Sequence, residues 1–99
     1  MFQLQQTEVF ASWLSALRDA RARARILARL ESAKLGNLGD VRTVGEGVNE
    51  MRVDAGAGYR VYFVRRYRVV LILLCGGDKS TQRRDIARAK AIAREIDSE

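Results

Sequence analysis

The sequence has 99 residues, 47% of them apolar and 30% charged, and its 18 Lys and Arg residues exceed its 12 Asp and Glu residues to give a net charge of +6. This length supports one domain, residues 1–99, with one modest core, and the composition excludes the disordered class. The chain has no apolar run near the roughly 20 residues that span a bilayer and no secretory signal pattern, which predicts a cytoplasmic protein with no membrane partner.

The first half of the chain has the pattern of a short strand followed by helices. Residues 2–5 alternate apolar and polar side chains and predict the strand. Thr7 can cap a helix that begins at Glu8, where a carboxylate also suits the helix dipole. Apolar stripes then predict two helices with a break near Arg18 and Asp19, although one bent helix fits the same pattern.

The second half is rich in the β-branched and aromatic residues that are typical of strands. Segments bounded by glycine-containing turns predict an antiparallel meander of four strands at residues 41–44, 48–54, 59–65 and 69–75. The last of these is apolar throughout, which favours a central strand covered on both faces, with Cys75 as a small buried hydrophobe.

A final helix is predicted from about residue 82 to 96, with Ser80 or Thr81 as its cap and Ile86, Ala89, Ala93 and Ile96 toward the core. The sequence therefore predicts one α+β domain. In it, the N-terminal helices pack on one face of an antiparallel sheet, and a C-terminal helix follows the last strand.

Strand alternation places four functional groups on one face of the predicted sheet, away from the N-terminal helices. Glu50 and Arg52 of one strand and Arg60 and Tyr62 of the next share this face, which we expect to be open. A carboxylate, two guanidinium groups and a phenol are typical of sites that bind a phosphodiester and move a proton. A ladder of cross-strand ion pairs that keeps the sheet face hydrated fits the same residues.

Cleavage of RNA at such a face divides into separate tasks. Arg52 and Arg60 would neutralise the charge that the phosphorane gains. Glu50 is a candidate base, although Arg52 beside it is expected to lower its pKa and weaken it in that role. Tyr62 is a candidate acid, or a surface on which a nucleobase stacks. We expect no metal and no cofactor, since the chain has no histidine and only Cys75 to offer as a usual zinc ligand.

The segment GGDKSTQ, residues 76–82, joins the last strand to the last helix. Its backbone N–H groups and Lys79 are candidates for holding an anion, with Gln82 and Arg83 beside them. The spacing is not that of a Walker loop. An ordinary strand-to-helix turn with a helix cap fits equally well.

Fifteen of the 18 cations are arginine, whose planar fork matches phosphate oxygens in pairs, so a phosphate-rich or acidic partner is expected. Three motifs in order then carry a family resemblance: GVNEMR at residues 47–52, GAGYRVYF at 56–63 and LLCGGDKSTQ at 73–82, followed by Asp85 and Ile86. Together they resemble the phage-related addiction-module killer proteins, a HigB-like branch of the RelE/ParE toxin superfamily, over nearly the whole chain.

The resemblance implies a RelE/ParE-like fold with helices on one face of an antiparallel sheet. It also implies an antitoxin partner, commonly of helix-turn-helix type in this branch, in a toxin–antitoxin hetero-oligomer. In many relatives the activity is cleavage of messenger RNA on the ribosome. The positions that match the family motifs are Glu50, Arg52, Tyr59, Arg60, Tyr62, Asp78, Lys79 and Gln82.

Among these residues, Arg60, Glu50, Tyr62 and Lys79 are the candidates for catalysis. The candidates for binding RNA phosphates are Arg52, Arg60, Lys79, Gln82 and Arg83. Several RelE-like relatives place a histidine or tyrosine near the C-terminus for proton transfer, and this chain has neither after Tyr67. The general acid and base therefore stay open, and cleavage can depend on charge stabilisation and on orientation of the 2′-hydroxyl by the ribosome.

Two other functions fit the same resemblance. One is a ParE-like inhibitor that binds DNA gyrase without catalysis, and the other is an inactive relative whose only partner is its antitoxin. The arginine-rich segment at residues 18–29 is a candidate docking surface for an acidic antitoxin segment or for ribosomal RNA, unless it only makes a helix face soluble.

Overall fold

The computed structural model of the protein describes residues 1–98. Its elements in chain order are β1 (Gln3–Gln6), α1 (Glu8–Ala16), α2 (Ala20–Lys34), β2 (Val41–Gly45), β3 (Val48–Val53), β4 (Tyr59–Arg66), β5 (Val70–Asp78), a 3-10 turn (Lys79–Thr81) and α3 (Gln82–Asp97). Among residues 1–98, no helix combines the length and the apolarity that crossing a lipid bilayer requires.

Side-chain caps set the starts of the first two helices. The Thr7 hydroxyl accepts a hydrogen bond from the Phe10 amide at 3.0 Å, as the sequence predicts for α1. Asp19 does the same for α2 by accepting from the Ala22 amide at 3.0 Å. Because this second cap requires a non-helical Asp19, the helical half divides into two helices rather than one bent helix.

The five strands form one sheet in the order β1-β5-β4-β3-β2. The antiparallel meander of β2 to β5 is confirmed. The expectation of a purely antiparallel sheet is wrong, because β1 pairs in parallel with β5, Gln3 opposite Val70. The helices α1 and α2 and the three strands after them form the long connection that a parallel pair needs.

Helices cover both faces of this sheet. On one face, α1 and α2 bury Phe10, Ile26 and Leu30 against β3, β4 and β5. On the other face, Ala89 and Ala93 of α3 pack in a second apolar cluster, whose strand members are Val48, Tyr62, Val64, Leu74 and Cys75. The central strand β5 is therefore buried on both sides, as its continuous apolar sequence predicts. The face that we expected to be open is closed over its middle by α3.

A glycine in β5 allows α1 to lie close to the sheet. A Cβ atom at Gly76 would lie 2.4 Å from the nearest atoms of the Trp13 ring, which is closer than non-bonded carbon atoms approach each other. We predict that Gly76→Ala lowers the free energy of unfolding by about 1–3 kcal/mol, the usual cost of overpacking, as measured by urea denaturation. Trp13→Leu should relieve the clash, so the alanine should cost clearly less in that background; an equal cost in both backgrounds would contradict this explanation.

Candidate functional site

The carboxylate of Glu50 is fully buried and binds three side chains from three other elements. Arg42 Nε on β2 donates to Oε1 at 2.8 Å, and the Tyr62 hydroxyl on β4 donates to Oε2 at 2.9 Å. Gln82 Nε2, in the first turn of α3, also donates to Oε2 at 2.8 Å. Glu50 therefore joins two strands and the C-terminal helix to β3.

These contacts set the protonation of both buried groups. Burial raises the pKa of Glu50, but hydrogen bonds from Gln82, Arg42 and Tyr62 outweigh it, so the pKa of Glu50 lies below its ordinary value. Burial, followed by the hydrogen bond to Glu50, holds the pKa of Tyr62 far above its ordinary value. Glu50 therefore stays ionised with its oxygens occupied, and Tyr62 keeps its proton. Neither group is arranged to exchange a proton with a substrate.

The sequence correctly placed Glu50 and Tyr62 on one face, since the register of β3 and β4 sets them directly opposite each other. It was wrong to expect that face to be open at this point, because both residues are 0% exposed beneath α3. Polar residues can be buried here because they satisfy one another's hydrogen bonds. The carboxylate and the phenol thus form a support below the surface.

The other pair of the predicted set, Arg52 and Arg60, also lies opposite in the register, so both guanidinium groups are on the same face. Arg52 is exposed, whereas Arg60 is 5% exposed. Arg60 Nη1 donates to the Gly58 carbonyl at 2.9 Å. Arg60 Nε is buried without an acceptor among residues 1–98, and the nearest carboxylate oxygen, Glu50 Oε1, is 3.9 Å away.

The positive charge of Arg60 is therefore only partly balanced. Its one nearby carboxylate, Glu50, is already shared with Arg42, so two guanidinium groups divide one negative charge. A buried donor without an acceptor lowers stability, and it is retained most readily where a ligand supplies the missing charge. Arg60 therefore stays a candidate for binding an anion.

Arg60 lies in the wall of an open cleft of about 500 Å³ at the end of the β3–β4 hairpin. Lys79 from the turn before α3 and Arg52 from β3 also line it. Within the described chain, neither aspartate of the cleft forms an ion pair with these cations. The complete lining is Asp40, Arg52, Val53, Asp54, Gly56, Ala57, Gly58, Arg60 and Lys79.

The GGDKSTQ segment contributes Lys79 to the cleft but is otherwise organised as a cap. Gly76 and Gly77 continue β5 instead of forming a turn. Asp78 then accepts from the Ser80 amide at 2.8 Å and from the Ser80 hydroxyl, and the bond from the hydroxyl is the main reason why the pKa of Asp78 lies below its ordinary value. Because a carboxylate occupies that amide, the backbone of the turn does not form the anion cradle that we considered.

The remaining predicted phosphate contacts lie elsewhere. Gln82 is half-buried, with its amide on Glu50. Arg83 is exposed and lines a different surface depression, together with Ser80 and Ala87. Neither Thr81 nor Ser80 caps α3 through its side chain; the Thr81 hydroxyl donates to the buried Asp85 instead. The structure therefore brings Arg52, Arg60 and Lys79 together in the cleft. It brings Glu50, Tyr62 and Gln82 together beneath the surface.

Three residues of the candidate site were not among the residues predicted from the sequence: Asp40, Arg42 and Asp54. Arg42 lies opposite Glu50 in the register of β2 and β3, so pairing this hairpin around its Gly45–Gly47 turn would have found it. Asp54 lines both the main cleft and a second one beside it, which also contains Arg21 and Arg25 of α2. No local signal marks this second cleft, because it forms only when α2 packs beside the β3–β4 loop.

The arginines of α2 divide into two groups. Arg23 donates to the Leu17 carbonyl, and Arg29 donates to the carbonyls of Arg52 and Leu38, so these two hold the helix to its neighbours. Arg21 and Arg25 form no hydrogen bond or ion pair with any other described residue. Part of the predicted basic docking surface is thus structural, and part is free to bind a partner.

Comparison with known proteins places this chain in a family. Residues 12–96 match the model described as "Phage derived protein Gp49-like (DUF891)". A Haemophilus influenzae protein described as "Uncharacterized protein" is 50% identical over 94 residues, which cover 95% of each chain. The chain belongs to the Gp49-like phage-derived family, a RelE/ParE-like toxin family of addiction modules.

Proposed function

We propose that this protein is the toxin of a type II toxin–antitoxin pair, of the HigB-like kind, and that it cleaves messenger RNA on the ribosome. The observation that carries this function is the guanidinium of Arg60, which is buried in the wall of a cleft and has Glu50, shared with Arg42, as its ion-pair partner at 3.9 Å. Arg52 and Lys79 add two more cations to the same cleft. Membership of a toxin family agrees with this use of the site.

The chemistry requires charge stabilisation above all. The 2′-oxygen of a nucleotide attacks the adjacent phosphorus, and the bond from phosphorus to the 5′-oxygen breaks. The phosphorane between these states carries an additional negative charge, which preorganised donors such as Arg60 and Arg52 stabilise more strongly than they stabilise the substrate. The low exposure of Arg60 strengthens this interaction, because less water screens it.

Groups at the surface of the cleft would remove the proton of the 2′-hydroxyl and protonate the departing 5′-oxygen. Glu50 and Tyr62 are sealed beneath α3, so neither is assigned to this role. Asp40 and Asp54 are exposed carboxylates in the lining, and either one can take the proton of the 2′-hydroxyl. The ammonium of Lys79 can return a proton to the departing 5′-oxygen. The ribosome would orient the 2′-hydroxyl for in-line attack.

The second cleft adjoins the first and would bind the RNA strand next to the cleaved phosphate. It shares Asp54 and Gly56 with the first cleft, and it presents the free guanidinium groups of Arg21 and Arg25. A phosphate next to the cleaved one would meet these arginines. An acidic segment of a helix-turn-helix antitoxin would compete for the same charges, which accounts for inhibition without a separate site.

The activity can be tested by inducing expression of the protein in bacterial cells that lack its antitoxin. We expect translation to stop and new 5′ ends to appear inside the coding regions of ribosome-bound transcripts. A ParE-like gyrase inhibitor would instead induce DNA damage signalling and leave transcripts intact. Intact transcripts during growth arrest would therefore contradict the proposed function, whichever other target is found.

A further inference from the structure

The connection between β4 and β5 places two large side chains in an unfavourable backbone conformation. Tyr67 and Arg68 have φ values of 53° and 67°, in the left-handed region. Glycine and asparagine adopt this region readily, whereas bulky side chains lose stability there. A strained conformation that persists at two successive bulky residues indicates a use for their side chains outside the fold.

The fold itself makes little use of these side chains. Tyr67 is 87% exposed, the highest exposure of any large apolar residue inside the chain. The side chain of Arg68 is exposed and forms no hydrogen bond or ion pair with the rest of residues 1–98. An aromatic ring and a guanidinium group thus stand side by side in solvent.

The tip is nevertheless held in place from both sides. Arg65 Nε donates to the Arg68 carbonyl at 2.8 Å, and its guanidinium lies 4.8 Å over the Phe2 ring. Arg66 forms two hydrogen bonds from Nη2 to the Asp97 carboxylate, at 2.7 and 2.9 Å. Because Arg65 and Arg66 hold the backbone of the tip, Tyr67 and Arg68 lose little backbone freedom on binding.

We propose that the β4–β5 tip, residues 65–68, is a second RNA contact, in which the ring of Tyr67 stacks on an unpaired base and Arg68 binds the neighbouring phosphate. Single-stranded nucleic acid is held in this way by aromatic rings and cations. A convex tip of a few residues offers too little area for a stable protein interface, which buries about 800 Å² on each partner. One stacked base needs only the ring.

The tip contacts a different part of the RNA from the Arg60 cleft. Tyr67 lies seven positions after Arg60 along extended chain, which corresponds to roughly 20 Å. This contact depends on the proposed action on RNA for the identity of its partner, but not on cleavage. It would add affinity and orientation by binding an unpaired base at a fixed distance from the cut.

Replacing both residues of the tip tests whether their side chains bind RNA. Tyr67→Asn combined with Arg68→Gly suits the left-handed conformation, so we expect a higher thermal unfolding midpoint. At constant salt, we expect the Kd for a fluorescein-labelled 12-nucleotide single-stranded RNA to rise about tenfold, as the loss of one stacked base predicts. The measurement contains no ribosomes, on which the proposed cleavage depends, so the probe stays intact. Val69→Thr, at an exposed residue of the same turn, is the matched control and should change neither quantity.

A second variant reports on stacking directly. The emission of Tyr67→Trp, after subtraction of the Trp13 signal of the parent, should be quenched by the single strand and not by the same sequence as a duplex. An unchanged Kd in the double variant, or equal quenching by the duplex, would overturn the assignment. So would a loss of antitoxin affinity with RNA affinity intact, since the tip would then serve a protein partner. If the double variant loses RNA affinity but the parent protein leaves transcripts intact when it is induced, the RNA contact at the tip stands. Only the proposed cleavage is then contradicted.

Discussion

Arg60→Ala should reduce cleavage of ribosome-bound messenger RNA by about 100-fold or more, which is the usual effect of removing one preorganised donor from a developing oxyanion. The loss is expected to be large because the guanidinium is buried and only partly neutralised, so its charge remains available to a phosphate. Single-turnover cleavage of a defined ribosome–mRNA complex measures the effect on the chemical step. Growth after induction gives the corresponding change in toxicity.

The substitution must be separated from a loss of folding. Arg60→Met keeps most of the side-chain volume, and Glu50 retains its three hydrogen-bond donors in that variant. We therefore expect a folded protein with the same loss of cleavage. Arg60→Lys keeps the charge without the planar fork and should recover only part of the rate. Arg83→Ala, at an exposed arginine outside the cleft, is the matched control and should cleave normally.

A folded Arg60→Met protein with the parental cleavage rate would remove this residue from the site. The cleft would then be an ordinary polar depression, and the unpaired Nε would be a structural imperfection without a ligand. The comparison with Arg83 also guards against a second error, in which any lost positive charge weakens binding to RNA. If both substitutions reduced cleavage equally, net charge rather than geometry would explain the effect.

The local features of the fold were predictable because each depends on a few neighbouring residues. Thr7 and Asp19 carry capping side chains, and the alternating residues of β3 and β4 determine which side chains share a face. The parallel pairing of β1 with β5 was not predictable in this way. It joins residues more than 60 positions apart, and the short β1 pattern contains nothing that selects its partner.

The candidate site also has features that depend on nearby residues, which were predictable, and features that depend on distant residues, which were not. The convergence of Arg52 and Arg60 follows from a hairpin register, which alternation and turn position predict. The burial of Glu50 depends on Gln82, which is 32 residues away and arrives with α3. A polar residue in a strand suggests exposure until its partners are known, since buried polar groups are tolerated only when they are paired. Sequence pattern alone therefore put the carboxylate at the surface.

Glu50→Ala should lower the free energy of unfolding by about 3–5 kcal/mol, the usual cost of removing one member of a buried ion pair. The substitution leaves the donors of Arg42, Tyr62 and Gln82 without their acceptor and leaves Arg60 without its nearest negative charge. Urea denaturation at neutral pH measures the loss. A cost below about 1 kcal/mol would show that water replaces the carboxylate and that these elements do not depend on it.

The pH dependence of stability follows from the direction of the Glu50 pKa. The folded protein holds this pKa below the ordinary value of 4.5, so folding favours the ionised form. The resulting stabilisation is complete above pH 4.5 and is lost as the pH falls through the lower, folded value. Glu50→Gln cannot be protonated, so its stability should fall less steeply than that of the parent in acid. If the stabilities of the parent and of Glu50→Gln fell equally steeply in acid, the lowered pKa of Glu50 would be contradicted.

The same carboxylate separates a positioning role from a catalytic one. If Glu50 were the general base, Glu50→Gln would abolish the chemical step for the bound substrate. If Glu50 instead positions Arg60, Glu50→Gln should weaken substrate binding more than it slows the bound substrate. Tyr62→Phe removes one donor and keeps the ring, so it should cost about 1.5–3 kcal/mol of stability and leave single-turnover cleavage nearly unchanged. Loss of cleavage in a stably folded Tyr62→Phe protein would instead show that the buried phenol reaches the reacting atoms, and that α3 must move aside for the reaction to occur.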